Sequence, residues 1–332
     1  MIILIGNNSP PRENYMSAEN HPAVNERIKT LSIVIVNWNT RELLKECLNS
    51  IYAYQPQGEL EVWVVDNAST DQSSDMVKQH FPEVNLIENR TNFGFAQANN
   101  QAIIRSTSRF ILLLNPDTEI LPGALEKMVT FLEDSPKVGA LGPRILNPDK
   151  TLQTSSYPTP TLSREFWRLF HLDELWPYGV YKMERWEPHT HRRVDVLLGA
   201  CLMIRQEALD EVGFLSEDYF MYTEEVDICY RVGQRGWEIY WLPEAEIIHY
   251  GGQSTRQVSR KMFIHLYKSK ILFFKKHYGN LSAFLYKLIL LLTSLARLSL
   301  TPIAYFTRSP SREQRLELAY NYRQLVKVLF AR

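Results

Sequence analysis

The chain has 332 residues, 45% of them hydrophobic, enough for one large domain or for one domain with a smaller appendage. Its 37 Lys and Arg balance 37 Asp and Glu, so the formal charge is zero and there is no basic footprint for a nucleic-acid partner. Cys47, Cys201 and Cys229 stand far apart with no CxxC pair; this argues against a disulfide framework or a thiolate zinc site and fits a reducing compartment.

Residues 1–5 are apolar but too short for a signal-peptide core. Residues 1–30 read as a flexible polar tail, with Met16 a candidate natural start. Periodic sequence begins at residues 31–37 (LSIVIVN), a β-branched run suited to a buried strand. Thr40 is placed to cap a helix carrying Leu43, Leu44, Cys47, Leu48 and Ile51 on one face. Residues 59–65 form a second strand, 70–81 a polar helix, 84–87 a third strand, 96–105 a helix and 110–114 (FILLL) a fourth strand. Strands separated by helices imply right-handed crossovers, hence an α/β fold with a mainly parallel central sheet flanked by helices.

Polar residues just after such strands gather along one sheet edge, where ligands bind. Here the exits are Asn37-Trp38-Asn39, Asp66-Asn67 and Asn115-Pro116-Asp117. Ordinary turn chemistry accounts for any one of them equally well.

The second half is less regular. Residues 151–193, rich in Pro, Trp and Tyr, read as a lid or acceptor-facing insertion. Residues 194–204 look like a strand interrupted at Gly199-Ala200, 225–235 a helix and 237–242 a strand. Residues 281–306 are strongly apolar but interrupted by Lys287, Arg297 and Pro302. They suit an amphipathic helix lying in the membrane interface better than a spanning one, with Lys268, Lys270, Lys275 and Lys276 available to lipid head groups. The competing reading is a helical hairpin packed on the catalytic domain or on a second subunit.

Asp117 would project from the sheet edge, where Mg2+ or Mn2+ could bridge it to a diphosphate and neutralise a nucleoside diphosphate leaving group. Asp66 could accept the imide N–H of uracil or thymine; equally, it or Ser69 could cap the next helix. Glu224, Glu225 and Asp227 crowd three carboxylates into four residues, which raises at least one pKa and favours a general base. Glu224 and Asp227 share a helix face, and Arg231 lies four residues beyond Asp227 for an ion pair. A helix N-terminus with Thr223 as cap explains the acids but not the aromatic run Tyr219-Phe220-Met221-Tyr222 before them. His249, at another strand exit, could complete a metal site, and Gly251-Gly252 would let backbone pass close to phosphate. Gly94 enters a helix whose N–H groups could contact donor phosphate or ribose, but neither GxGxxG nor a Walker loop is present.

In order, the runs IVIVNWNT, VWVVDNASTD, NRTNFGFAQANN, FILLLNPDTEI, the long segment LLGACLMIRQEALDEVGFLSEDYFMYTEEVDICYRVGQRGW and IIHYGGQST resemble the inverting family 2 glycosyltransferases of GT-A fold, in particular a bacterial rhamnosyltransferase-like branch. The likeness covers about residues 31 to 255. It implies a Rossmann-like nucleotide-binding half (31–120), an acceptor and catalytic half (121–258) and a helical, membrane-associating extension (259–332). Val36 and Trp38 would line the base and Asp66 would hydrogen-bond it, with Asn39, Asn67, Asn92, Gly94 and Asn115 completing the nucleotide site. Asp117 matches the last acid of the family's DxD element and would hold the metal, but Asn115 stands where an acid is often found, so His249 matters more. Glu225 matches the usual aspartate of the acidic pair and would be the base, with Glu224 and Asp227 as alternatives. Gly199, Ala200, Tyr222 and Arg231 would stand by the donor and acceptor sugars.

The resemblance implies a nucleotide-sugar donor, dTDP-rhamnose before UDP-sugars such as UDP-galactofuranose. It also implies a lipid-linked saccharide acceptor in surface-polysaccharide or O-antigen assembly, at the inner face of the cytoplasmic membrane, with peripheral membrane contact. Self-association through the C-terminal helices is a further expectation. A catalytically silent sugar-nucleotide-binding protein of the same fold is the alternative; a nucleotidyltransferase would need a Gly-rich, Lys/Arg-bearing triphosphate grip that IVIVNWNT lacks.

Overall fold

The computed structural model describes residues 29–251, 259–299 and 311–330. The tail before Lys29, Met16 included, lies outside the described residues, as do Gly252 and Pro302.

The first half alternates as the sequence implies: β1 (Lys29–Asn37), α1 (Arg41–Ala53), β2 (Leu60–Asp66), α2 (Ser73–His80), β3 (Asn85–Glu88), α3 (Phe95–Ile103) and β4 (Ser108–Leu114). β1 is central, with β2 and β4 parallel on either side and β3 outside β2. The unbroken apolar runs have a direct cause. Leu31, Ile33, Ile35, Phe110, Leu112 and Leu114 enter the core on one sheet face, and Val34, Val65, Ile111 and Leu113 the core on the other. A strand covered on both faces carries no polar alternation.

The next elements are β5 (Thr118–Ile120), α4 (Ala124–Asp134), β6 (Val138–Leu146), β7 (Ser156–Tyr157) and α5 (Leu162–Leu169). β8 (Arg192–Arg193), β9 (Val196–Leu197), β10 (Cys201–Arg205), α6 (Gln206–Val212), α7 (Glu224–Gln234) and β11 (Glu238–His249) follow. The main sheet runs β3-β2-β1-β4-β10-β6-β11-β5, with β8 on β11. β10 is antiparallel between β4 and β6, and β5 and β8 are antiparallel to β11.

Three features depart from the linear reading. The interrupted segment at residues 194–204 is two strands in two sheets: β9 pairs with β7, and after Gly199-Ala200 the chain joins the main sheet as β10. β11 does not stop at Leu242; a register shift between Leu242 and Glu246 absorbs Pro243, and the strand continues to His249. β6 carries no strand signature because it needs glycine. A Cβ on Gly142 would lie 2.7 Å from Leu197, and one on Gly139 2.7 Å from Trp237.

The C-terminal region forms α8 (Ser259–Ser299) and α9 (Ser311–Leu329), with α8 broken at Gly279, whose φ is 86°. Tyr286, Leu290, Tyr322, Leu325 and Leu329 pack with Leu169 of α5 in a third core. Ser269 donates to the Met221 carbonyl at 3.0 Å, so α8 also lies on the loop that leads into α7.

Leu112 is fully buried at the centre of β4. Leu112→Ala is expected to cost about 2–5 kcal/mol of unfolding free energy, read from the urea midpoint.

Candidate active site

Parallel register brings Asn37 opposite Asp66, so the first two strand exits meet. Asn37 Nδ2 donates to Asp66 Oδ1 at 2.9 Å and to Ser69 Oγ at 3.1 Å, while Ser69 N donates to Asp66 Oδ2 at 2.9 Å. Asn39 N donates to Ser69 Oγ, Thr70 N to Asn39 Oδ1, and Arg41 N to Asp71 Oδ2. Asp66 is therefore buried and fixed, and a carboxylate with about four acceptor positions keeps capacity for a base N–H. Thr40 does not cap α1; its hydroxyl donates to Asn37 Oδ1 at 2.6 Å, and Asp71 serves the Arg41 N–H instead.

Several expected nucleotide contacts do local work. Asn67 donates to the Gly94 carbonyl and accepts from Asn89 and Phe93. Asn92 accepts from Gly94 N at 2.9 Å, so that N–H is not turned outward to a phosphate. Gly94, with φ 83°, is glycine because a Cβ would stand 2.2 Å from the Phe220 carbonyl oxygen. Phe95 N donates to that same oxygen. Val36 and Trp38 remain partly exposed at the edge beside Asp66.

Asp117 and His249, far apart in sequence, are brought together by the pairing of β5 with β11, in which His249 stands opposite Thr118. His249 Nε2 lies 3.3 Å from Asp117 Oδ1 and 3.4 Å from Asn115 Nδ2. Gln153 Nε2 donates to Asn147 Oδ1 at 2.9 Å, which turns its Oε1 to His249 Nδ1 at 2.7 Å. Nδ1 then carries a proton, and Nε2 is the ring nitrogen turned toward Asp117. An imidazole lone pair and a carboxylate oxygen this close suit a shared cation, and Mg2+ or Mn2+ needs few protein ligands when a diphosphate supplies the rest. Among the described residues no group of three or more His, Cys, Asp or Glu is gathered for a metal.

The acidic segment opens α7. Tyr222 and Thr223 precede it at φ 68° and 76°, and Thr223 makes no side-chain cap. This left-handed pair of non-glycine residues is a local cost that the surrounding packing holds in place. The aromatic run is explained by packing: Tyr219 is buried with its hydroxyl toward Asp227, and Phe220 covers Gly94 and a ring of α8, His265.

The three acids separate cleanly. Asp227 is fully buried, accepts from Arg231 Nε at 2.7 Å and lies 2.7 Å from His277 Nε2 of α8; Arg231, then His277, hold its carboxyl below the usual range. In this position it ties α7 to α8. Arg231 forms the expected i,i+4 pair, but its remaining donors go to the Val212, Gly213 and Phe214 carbonyls. These bonds hold it against the α6–α7 loop. Glu224 is buried with Oε2 unpaired, and burial, then Glu225, raise its carboxyl well above the usual range. Glu225 is partly exposed, raised by burial, and lies across from Gly199, where a Cβ would be 3.4 Å from its own Cβ. Ala200 O accepts from Asn115 N at 2.9 Å. One contiguous path thus runs from Glu225 through Gly199-Ala200 and Asn115 to His249 and Asp117.

Against known proteins, the glycosyl transferase family 2 model matches residues 32–213, more than half of the chain. The chain belongs to glycosyl transferase family 2. Within the family, it is 30% identical over 265 residues to an N-acetylglucosaminyl-diphospho-decaprenol L-rhamnosyltransferase of Mycobacterium tuberculosis, covering 75% of this chain and 85% of that one. It is 29% identical over 225 residues to a low-salt glycan biosynthesis hexosyltransferase of Haloferax volcanii, covering 66% of each. Among solved structures, a mannosyltransferase from Pyrobaculum calidifontis in complex with GDP-Man and Mn2+ aligns at TM-score 0.54 and 17% identity, over 96% of this chain and 87% of that one. GalNAc-T7 with UDP, GalNAc and Mn2+ aligns at TM-score 0.50 and 16% identity, over 68% and 44%. These are GT-A likenesses of fold, and the chain is a glycosyltransferase of glycan assembly by family.

Two participants escaped sequence reading. Gln153 sits in a Thr/Gln/Ser stretch with nothing to mark it. Glu165 of α5 is buried and bound by Arg168 at 2.9 Å, Lys270 at 3.0 and 3.1 Å and the Tyr286 hydroxyl at 3.0 Å. Despite burial, Lys270, then Arg168, bring its carboxyl down to about 2, and Lys270 also draws Glu225 toward its charged form. A folded value below the ordinary 4.5 makes this contribution complete above pH 4.5 and lost as pH falls toward 2. Glu165→Gln is expected to cost about 1–3 kcal/mol at neutral pH by leaving the partly exposed Lys270 and Arg168 without their counter-ion. In urea melts against pH, it should also flatten the acid slope across that window.

Proposed function

We propose that this family 2 enzyme is a metal-dependent, inverting hexosyltransferase that moves a sugar from a nucleotide diphosphate donor to a hydroxyl of a lipid-linked saccharide at the inner face of the cytoplasmic membrane. dTDP-rhamnose is the leading donor. The single observation that carries the reading is the continuity of Glu225, Gly199-Ala200, Asn115, His249 and Asp117 along one sheet edge, next to the Asp66 exit. The Mycobacterium tuberculosis relative, a rhamnosyltransferase acting on a lipid diphosphate saccharide by its name, supports the choice of donor and acceptor class.

In this reading Val36 and Trp38 flank the base and Asp66 accepts its imide proton. Asp117 and His249, the latter oriented by Gln153, are the residues that would hold a divalent cation. A divalent cation there supplies charge neutralisation for the departing nucleoside diphosphate. Glu225 takes the acceptor hydroxyl proton as that oxygen forms its bond to the anomeric carbon. The carbon–oxygen bond to the diphosphate breaks, its electron pair leaves with the diphosphate, and attack from the opposite face inverts the centre. The glycine at 199 leaves room for a sugar between Glu225 and the metal side. Burial raises the Glu224 carboxyl well above the usual range, which disfavours a second negative charge beside the base.

Glu225→Gln is expected to lower kcat about 10^2- to 10^4-fold with donor affinity kept, measured by sugar transfer and by donor calorimetry. In the wild type the rate should rise with pH through a value above the ordinary carboxylate range, because Glu225 is raised by burial. Wild-type turnover by Glu225→Gln would remove it as base. Asp117→Ala should abolish Mn2+ binding in electron paramagnetic resonance titrations, and Gln153→Ala should weaken it about 10- to 100-fold; unchanged Mn2+ affinity in both would defeat the metal assignment.

A further inference from the structure

Glu225 stands at one end of α7, and a cavity of 370 Å³ opens at the other. Its walls include Tyr230, Trp237 and Tyr278, and its polar positions Asp195, Arg193 and Gln234. Aromatic walls with a few placed polar groups are the make-up of a small-molecule site of this size. The walls are set in advance: the Trp237 indole N–H donates to Glu211 at 3.1 Å, and the Tyr278 hydroxyl to the Pro160 carbonyl at 3.2 Å. Gly233 lines the same cavity. Gly139 and Gly142 are glycine because a Cβ would strike a neighbour, whereas a Cβ on Gly233 would meet nothing within 4 Å. Among the described glycines without a positive φ, it is the one of which this holds. A glycine inside a helix is a cost relative to alanine, and here it leaves the cavity open. Glu225, Cys229 and Gly233 follow at i, i+4 and i+8 on α7, about 12 Å along the axis from first to last. The segment beside them runs back the same way: Val194 and Asp195 line the cavity with Gly233, and Gly199 faces Glu225.

The polar groups select the occupant. Asp195 accepts from Thr159 N at 2.8 Å and lies 3.5 Å from Arg164, and Arg193 lies 3.5 Å from Glu238. Each charge has a counter-charge, so the cavity holds no surplus cation for a phosphate or a nucleotide. It offers a carboxylate with spare acceptor positions, guanidinium donors and the exposed Gln234 amide. A neutral hexose matches both halves of this lining: its hydroxyls donate and accept, and its C–H faces lie on aromatic rings. We infer that the cavity at the C-terminal end of α7 binds a neutral hexose unit of a saccharide, at a site separate from the transfer cleft. The inference rests on the transferase reading only in taking that unit from the glycan that the enzyme extends. One helix then carries a glycan-holding site at one end and the base at the other.

The probes are methyl α-L-rhamnopyranoside and methyl β-D-N-acetylglucosaminide, titrated into the full chain without donor and followed by saturation-transfer NMR, beside Gly233→Leu and Gln234→Ala. The wild type should bind at least one of the two. Gly233→Leu should weaken that binding at least about tenfold by filling the cavity, with a melting temperature equal or higher because leucine favours the helix. Gln234→Ala, on an exposed side chain, should weaken it about two- to tenfold, and decides the matter if Gly233→Leu melts lower. Failure of both probes to bind the wild type overturns the proposal. So does undiminished binding by the folded variants, which assigns the sugar to the transfer cleft. Displacement of the probe by dTDP with Mn2+ overturns it as well, since nucleotide and hexose would then share one site. The titration uses no donor, so its failure leaves Glu225 and Asp117 untouched, and wild-type turnover by Glu225→Gln would leave the hexose site untouched.

Discussion

The pairing of β10 with β4 is the constraint on which the catalytic geometry depends. Cys201 lies opposite Leu114, and the next residues outward, Ala200 and Asn115, are joined by a backbone hydrogen bond of 2.9 Å. β10 is the antiparallel strand in the middle of the sheet. Its insertion brings Gly199, and with it the start of α7, against the Asn115 exit. A parallel strand at this position would have sent residues 199–200 to the opposite edge.

The edge itself is rigid before any ligand arrives. Asn37, Asn39, Asp66, Ser69 and Asp71 hydrogen-bond one another across the first two exits, and Asn67, Asn92 and Gly94 do the same across the third loop. Turn chemistry and ligand chemistry are therefore not rivals here. The same short polar side chains satisfy backbone groups and fix the carboxylate of Asp66.

Burial sorts the acids by role. Asp227, enclosed by Arg231, His277 and Tyr219, is charged and structural. Glu224, fully enclosed, has its carboxyl raised well above the ordinary range by burial, and Glu225, at the opening, is raised by burial as well. The helix α8 enters this balance directly, since Lys270 and His277 both belong to it. The C-terminal helices are thus joined to the catalytic half by buried charge and not only appended to it.

The sequence alone determined the parallel half and the approximate place of each exit, because buried strands, helical periodicity and turn residues are local signals. It also determined that Asp227 and Arg231 would pair, since four residues make one helical turn. Gly139 and Gly142 concealed β6, since their reason is the approach of Trp237 and Leu197 from distant segments. Pro243 made β11 look finished because a bulge that absorbs a proline depends on its neighbour β6. Which of three adjacent acids faces the cleft, why Gly94 is glycine, and how Gln153 orients His249 were decided only by tertiary structure. Each depends on a partner fifty or more residues away, or on the degree of burial around a carboxylate, and neither quantity exists until the chain has closed on itself.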